Sequence, residues 1–121
     1  MATTDNVVSI HPYFTIAEGK ESTAREYCER FVALTKSEDK CLYYGFSFDG
    51  SAVHCREAYQ GAEGLLDHLS NVGELLQEFL DGTASVNRLE VHGAAEEIEK
   101  LKEPLASLSP QYFTLEYGIR A

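Results

Sequence analysis

The chain has 121 residues, a length typical of one domain, and we expect residues 1–121 to form a single domain with its own core. Twenty acidic residues against ten basic ones give a net charge of −10, which argues against a nucleic-acid partner because phosphate binding needs clustered lysine and arginine. A hydrophobic fraction of 44% is too high for a disordered acidic protein.

The first predicted elements are a strand and an amphipathic helix. Residues 7–14 form a short β-branched and aromatic run, which is typical of a strand. Over residues 21–36 the apolar positions recur at three- and four-residue spacing. This pattern predicts a helix that packs one face against a sheet.

A hairpin is predicted next. Two extended runs, residues 41–48 and 52–59, are joined by Asp49-Gly50-Ser51, and Asp-Gly is a strong hairpin signal because both residues tolerate positive φ. In the first run, alternate residues place Tyr44 with the large apolar residues of one face. Strands two and three are therefore predicted to be antiparallel neighbours.

The second half of the chain predicts two helices and two strands. Residues 61–80 carry leucines and other apolar residues at helical spacing and end at Asp-Gly. Residues 84–93 read as a fourth strand, residues 94–105 as a short third helix that ends near a proline, and residues 111–119 as a fifth strand.

The predicted order is β-α-β-β-α-β-α-β, an α+β chain whose first six elements match the ferredoxin-like fold. In this fold an antiparallel sheet carries its helices on one face. The other face stays exposed unless a second molecule covers it, so we expect a homodimer with an isologous interface. The fifth strand lies outside the six-element unit and could reach the partner.

The cysteines and the hydropathy pattern bear on the compartment. Cys28, Cys41 and Cys55 are odd in number and far apart, which indicates neither a disulfide framework nor a zinc knuckle. By default we interpret the three cysteines as free thiols that pack as small hydrophobic residues in a reducing compartment. No secretory signal or apolar run long enough for a membrane span is visible, so we expect a cytoplasmic protein without a membrane partner.

Short motifs carry a resemblance to a known family. Glu38-Asp-Lys-Cys-Leu-Tyr-Tyr44, Glu57-Ala-Tyr59 and then His68 in the second helix resemble the E-x-G-C-x-x-Y, E-x-W and helix-two histidine pattern of the antibiotic biosynthesis monooxygenase-like proteins. These belong to the dimeric α/β-barrel superfamily. The chain departs from the pattern at Lys40, where the family has glycine, and at Tyr59, where it often has tryptophan.

The resemblance implies two ferredoxin-like sheets packed into a barrel across a dimer, with a small-molecule cavity in each subunit. Some members oxidise aromatic polyketides with oxygen, without metal or flavin; relatives degrade haem, decarboxylate or isomerise small molecules. The haem-degrading branch matches poorly because its site depends on a tryptophan and this chain has none. The expected function is a cofactor-independent monooxygenase, or a related carbon-acid enzyme, acting on a small aromatic or polyketide-like compound. The alternatives are a non-catalytic dimer that binds a small ligand, as in stress-responsive relatives, and a purely structural dimer.

Two residues are the catalytic candidates. His68 lies at the edge of the apolar stripe of the second helix and matches the family histidine, so a neutral imidazole there would act as the base. Glu57 alternates with apolar residues of its strand, where burial raises the pKa of a carboxyl group, and would orient or tune the site. The structural alternatives are a hydrogen-bonded histidine at position 68 and, for Glu57, a buried ion pair with Arg56 or Arg88 or a helix N-cap contact.

Three more residues are predicted to contact substrate. Tyr44 and Tyr59 could each donate a hydroxyl to a substrate oxygen while stacking on an aromatic ring, although core packing is the alternative for both. Asn71 lies one turn after His68 and could orient it or a substrate carbonyl, or simply be a solvated helix residue.

The remaining histidines give no metal signature. His11, His54 and His92 lie on three predicted strands without H-x-H or H-E-x-x-H spacing. If those strands are neighbours in the sheet, the three side chains could still cluster. No metal and no cofactor are expected.

Overall fold

The computed structural model of the protein describes residues 3–121, which form one five-stranded sheet with helices on one face. In chain order the elements are β1 (Val7–Ile16), α1 (Glu21–Thr35), β2 (Cys41–Asp49), β3 (Ala52–Gln60), α2 (Gly61–Leu80), β4 (Ala84–Gly93), α3 (Ala95–Leu101), a 3₁₀ turn (Ala106–Leu108) and β5 (Gln111–Thr114).

The strand order is β2-β3-β1-β4-β5. The central strand β1 pairs antiparallel with β3 and β4, β2 pairs antiparallel with β3, and β5 pairs parallel with β4. The first six elements therefore form the ferredoxin-like α+β arrangement, and the predicted fold class is confirmed.

The end of the chain differs from the sequence prediction. The third helix stops at Leu101 because Pro104 cannot continue a helix and restricts the residue before it. β5 extends only to Thr114, which pairs with Gly93, the last residue of β4. β5 thus completes the sheet of its own chain, and it ends where its partner strand ends.

Strand alternation separates two faces of the sheet. Val53 and Cys55 of β3 point toward the helices and are buried, whereas His54 and Arg56 point the other way. The cross-strand register carries this alternation across all five strands. We call the side without helices the open face.

The core lies between the sheet and the helices. Phe14 of β1, Phe31 of α1 and Phe79 of α2 meet edge to face, with ring centroids 5.3 Å apart for Phe14 and Phe79 and 5.6 Å apart for Phe31 and Phe79. Burying one such ring contributes about 1.5–3 kcal/mol. This packing holds α2, the helix that carries His68, against the sheet.

The start of α2 is fixed by two local features. Gly61 has a φ of +67°, and the Oε1 of Glu97 in α3 accepts the N–H of Ala62 at 2.8 Å, so α3 supplies the cap that α2 lacks in its own sequence. One turn on, a Cβ at Gly64 would lie 2.9 Å from the Cβ of Tyr59. Glycine there allows the helix to lie directly on β3.

The cysteines are all free thiols, with Cys28 and Cys55 buried and Cys41 partly exposed. Within residues 3–121, α2 is the longest helix, and neither it nor any other helix combines the length and apolar character of a membrane span.

Candidate functional site

A cavity of about 70 Å³ lies between α2 and the helix-covered face of the sheet. Its ionisable side chains are Tyr44, Cys55, Glu57 and His68, and they lie together. Most of the remaining wall is apolar and includes Ile10, Phe14, Phe46, Leu69, Val72 and Leu76. The partly exposed side chains of Val86 and Leu108 also contribute to it.

His68 projects from α2 into this cavity and is 3% exposed. Its Nδ1 lies 2.8 Å from the Oε2 of Glu38, in the loop after α1. A neutral His68 that donates its Nδ1–H to this carboxylate keeps the lone pair on Nε2. Burial lowers the pKa of His68, although the hydrogen bond and charge of Glu38 act in the opposite direction. The imidazole is therefore neutral at neutral pH, and its Nε2 carries the lone pair that can accept a proton.

Glu57 faces His68 from β3. Its Oε1 lies 3.4 Å from the Nε2 of His68 and accepts a hydrogen bond from the hydroxyl of Tyr59 at 2.5 Å. Burial raises the pKa of Glu57 to about 7, partly offset by the hydrogen bonds from Tyr59 and Cys55, and the Glu38 charge adds to the increase. A carboxyl group with this pKa exchanges its proton near neutral pH.

The ion pair considered for Glu57 does not form with either arginine. Arg56 lies on the open face, over the ring of Tyr43 at 4.5 Å, and Arg88 pairs with Glu90 on the same face. Both guanidinium groups are therefore separated from Glu57 by the sheet itself.

The three predicted substrate-contact residues fall in different places. Tyr44 lines the cavity, with its ring centroid 5.0 Å from that of His68. Tyr59 is fully buried behind Glu57 and does not line the cavity. Asn71 lies outside it and donates to the Oε2 of Glu38 at 2.8 Å.

Burial also determines the protonation states of the remaining ionisable groups of the site. It raises the pKa of Tyr44 and of Tyr59, and the nearby carboxylate of Glu57 adds to both increases. It raises the pKa of Cys55 as well. The two phenols and the thiol are therefore protonated, so the tyrosines are hydrogen-bond donors and the cysteine is not a nucleophile.

Glu38 was not predicted from the sequence as a site residue. It is the first residue of the motif that carries the family resemblance, and this position could have indicated that it belongs to the site. Its position in a loop gave no periodicity from which its direction could be read. The Asn71 side chain holds it by bridging Glu38 and the carbonyl oxygen of Leu34.

The other histidines lie on the opposite side of the sheet. His11, His54 and His92 point to the open face and away from the cavity. Across residues 3–121, no group of three or more His, Cys, Asp or Glu side chains has the arrangement needed to hold a metal ion.

Comparison with known proteins identifies relatives by structure. No protein-family model and no curated protein sequence matches the chain. The crystal structure of MupZ from Pseudomonas fluorescens is 44% identical, with a TM-score of 0.94, and the match covers 100% of this chain and 94% of that one.

More distant structures share the fold. A protein from Chloroflexus aurantiacus named "putative antibiotic biosynthesis monooxygenase" is 15% identical, with a TM-score of 0.60 over 74% of this chain and 93% of its own. Rv0793 from Mycobacterium tuberculosis is 20% identical, also with a TM-score of 0.60, over 70% of this chain and 91% of its own. The chain therefore belongs to the same family as MupZ, and it shares the ferredoxin-like fold of the more distant structures.

Proposed function

We propose that the protein is a cofactor-independent acid–base enzyme that removes a proton from a small substrate bound in the cavity. In its most specific form the reaction is that of a monooxygenase or related carbon-acid enzyme. The observation that carries the proposal is the convergence of His68 and Glu57 on one apolar cavity, with their pKa values shifted in opposite directions.

His68 is the base in this reaction. Its Nε2 accepts a proton from a C–H or O–H group of the substrate, and the carboxylate of Glu38 stabilises the imidazolium that forms. The hydrogen bond from Asn71 keeps that carboxylate in place. Glu38 and Asn71 are thus positioning residues.

Glu57 is the acid partner. Below its pKa of about 7 the carboxyl group carries a proton that it can donate to a substrate oxygen, where negative charge develops as His68 removes the proton. The hydroxyl of Tyr59 fixes the Glu57 side chain from behind. A carbonyl compound with an acidic neighbouring C–H matches this pair, since an enolate forms between the base and the acid.

The wall composition suits an aromatic or polyketide-like substrate. The ring of Tyr44 and that of Phe46 lie 5.4 Å apart on one side, and aliphatic side chains line the other. A volume of about 70 Å³ is smaller than the roughly 150 Å³ that holds benzene in an engineered cavity. A ring-sized substrate therefore displaces side chains or extends outward past Leu108.

The oxygenase form of the reaction adds one oxidant, molecular oxygen. A CH₂ group beside a carbonyl first loses a proton to His68, and the resulting carbanion then reacts with O₂. One oxygen atom becomes a new carbonyl, and the other leaves as water together with the two hydrogens of the CH₂ group. This chemistry needs only a base and a site that stabilises the anion.

A homodimer formed through the open face is part of the proposal. The resemblance of the sequence motifs to the antibiotic biosynthesis monooxygenase-like proteins, which form dimeric barrels, supports it. Tyr13, Tyr43 and Phe113 are each more than a third exposed on this face, which is unusual for large aromatic side chains and typical of an interface.

One observation favours the second candidate, a dimer that binds a small ligand without transforming it. Every buried side-chain nitrogen and oxygen atom in residues 3–121 already has a hydrogen-bond partner. The polar atoms buried around the cavity are therefore satisfied without a substrate.

The test follows proton abstraction directly. Deuterium exchange into aromatic ketones and 1,3-diketones in D₂O is followed by NMR, with oxygen uptake recorded in parallel. We expect exchange that His68→Gln and Glu57→Gln reduce by about 10²–10⁴-fold. The matched control is Glu63→Gln, which changes an exposed carboxylate on α2, the helix that carries His68, and should leave the exchange rate unchanged.

The outcomes separate the candidates. Exchange with oxygen uptake supports a monooxygenase, and exchange without it supports another carbon-acid enzyme. Ligand-induced chemical shift changes with neither exchange nor oxygen uptake would overturn the catalytic proposal in favour of ligand binding.

A further inference from the structure

Three histidines that play no part in the proposed reaction form a cluster on the open face. His11, His54 and His92 come from the adjacent strands β1, β3 and β4. The ring centroid of His11 lies 4.5 Å from that of His92 and 6.1 Å from that of His54. The central ring, His11, therefore has an imidazole on each side.

Within residues 3–121, each of the three imidazoles has a single polar partner. The Nε2 of His11 lies 2.8 Å from the hydroxyl of Ser9, and the Nδ1 of His54 lies 3.0 Å from the carbonyl oxygen of Pro12. Only His92 contacts a carboxylate, with its Nε2 3.0 Å from the Oε1 of Glu90.

Few other charges face the cluster. Arg56 of β3 is directed to Tyr43 of β2, and Arg88 of β4 pairs with Glu90. The outward residues of β5 are uncharged. Among the outward strand residues that the structure describes, the only carboxylates are Glu90 and Asp49 at the end of the β2–β3 hairpin.

This charge distribution favours a second copy of the chain as the occupant of the face. A two-fold interface places the same surface on both sides, so an acidic surface would repel itself. The protein has a net charge of −10, yet its open face is almost free of carboxylates and carries exposed aromatic side chains. With the imidazoles neutral, two such faces can associate without charge repulsion.

We infer that protonation of His11, the central ring of the histidine cluster, dissociates the homodimer, so that the dimer is a pH-dependent assembly. The inference rests on the proposed dimer. Pairing the open faces brings six imidazole rings into one interface, and protonation there adds like charges that are also cut off from water.

The single chain already shows the direction of this effect. Burial, together with His92 and His54, lowers the pKa of His11, and only Glu90 acts against the decrease. A second copy would bury the ring further and add the partner's imidazoles. Because the associated form then binds protons less readily than the free chain, acidification shifts the equilibrium toward the monomer.

Sedimentation velocity at constant ionic strength tests the inference, at about pH 8 and about pH 5.5, on either side of the ordinary histidine pKa. We expect the dissociation constant of the wild-type dimer to rise about 10-fold or more at the lower pH, because the dimer binds protons at the cluster less readily than the free chain does. His11→Gln combined with His54→Gln should remain dimeric at both pH values. His92 is kept because its ring contacts the carboxylate of Glu90.

His68→Gln is the matched control, since it removes the fourth histidine from the opposite side of the sheet, and it should keep the wild-type pH dependence. An unchanged dissociation constant in the wild type, or an undiminished pH effect in the double variant, would overturn the inference. If the double variant does not fold, His11→Gln alone must reduce the effect. A monomer at about pH 8 would refute both the dimer and its regulation, whereas the exchange assay judges the enzyme independently.

Discussion

At the scale of single residues, the site depends on which side chains hold a proton at neutral pH. Burial raises the pKa of Glu57 to about 7 and lowers that of His68, so a proton binds to the carboxyl group in preference to the imidazole. In water the preference would be the reverse. The site therefore holds an acid and a base 3.4 Å apart that do not neutralise one another.

Glu38→Gln tests the positioning role of Glu38. The hydrogen bond and charge of Glu38 raise the pKa of His68, so removing the charge lowers it further. We expect the acidic limb of the pH–rate profile for deuterium exchange to move to lower pH. The maximal rate should fall, by about 10-fold or more, because His68 becomes a weaker base.

The neighbouring exposed residue provides the control for that experiment. Asp39→Asn removes a carboxylate one position further along the same loop and should leave the profile in place. A Glu38→Gln variant with lower activity but an unmoved acidic limb would contradict the positioning role, since a merely structural defect does not change the pKa of His68.

The sequence predicted part of this arrangement and not the rest. Alternation in β3 placed Glu57 on an apolar face, and helical spacing placed His68 near the stripe of α2, so both could be predicted to lie inside. Glu38 could not, because its contact with His68 joins residues 30 positions apart through a loop. Such a contact depends on how α1 and α2 pack and is invisible to local pattern.

At the scale of elements, α2 positions His68, and its start depends on another helix. Neither Gln60 nor Gly61 supplies a side-chain cap, and the carboxylate of Glu97 in α3 accepts the Ala62 N–H instead. This hydrogen bond is also the main reason why the pKa of Glu97 lies below its ordinary value. The two helices are thus coupled through one carboxylate.

Glu97→Ala should therefore destabilise the fold more than an exposed helix substitution does. Loss of a helix cap costs about 1–2 kcal/mol of unfolding free energy, measured by urea denaturation. Lys100→Ala is the control, because it removes only the exposed Lys100–Glu97 ion pair, whose contribution is about 0–1 kcal/mol. Equal denaturation midpoints for the two variants would show that the cap contributes nothing.

Element boundaries show where local pattern stops being informative. The hairpin, α2 and β4 follow from turn residues and periodicity within their own segments. β5 does not, because the apolar alternation continues to residue 119 while the pairing ends at Thr114, opposite the last residue of β4. A strand ends where its neighbour ends, and the neighbour is specified elsewhere in the chain.

At the scale of the whole molecule, the acidic excess is distributed unevenly. Carboxylates occupy the exposed sides of the helices, whereas the open face of the sheet has almost none. The sequence could predict an uncovered sheet face. It could not predict that His11, His54 and His92 would meet there, because their proximity depends on the register of β1 with both neighbours.

Global stability should carry the signature of the buried carboxyl group. Glu57 ionises near 4.5 in an unfolded chain and near 7 in the folded one. Between these pH values the folded protein binds more protons than the unfolded chain, so this group makes the unfolding free energy fall as pH rises. His68 acts in the opposite sense, because its lowered pKa makes the folded protein bind fewer protons below pH 6.5.

Glu57→Gln removes the contribution of Glu57 to the pH dependence of the unfolding free energy and leaves that of His68. Relative to the wild type, we expect the variant to gain up to about 3 kcal/mol of unfolding free energy at about pH 8 and almost nothing at about pH 4.5, as measured by urea denaturation. The glutamine amide oxygen can still accept the Tyr59 hydroxyl, so the packing is retained. Glu63→Gln should show no such difference, and a Glu57→Gln variant less stable than the wild type at the higher pH would contradict the raised pKa.

A gain in stability with a loss of exchange activity would identify Glu57 as a group retained for its chemistry, since an ionisable carboxyl group at this depth opposes folding at the pH where it acts.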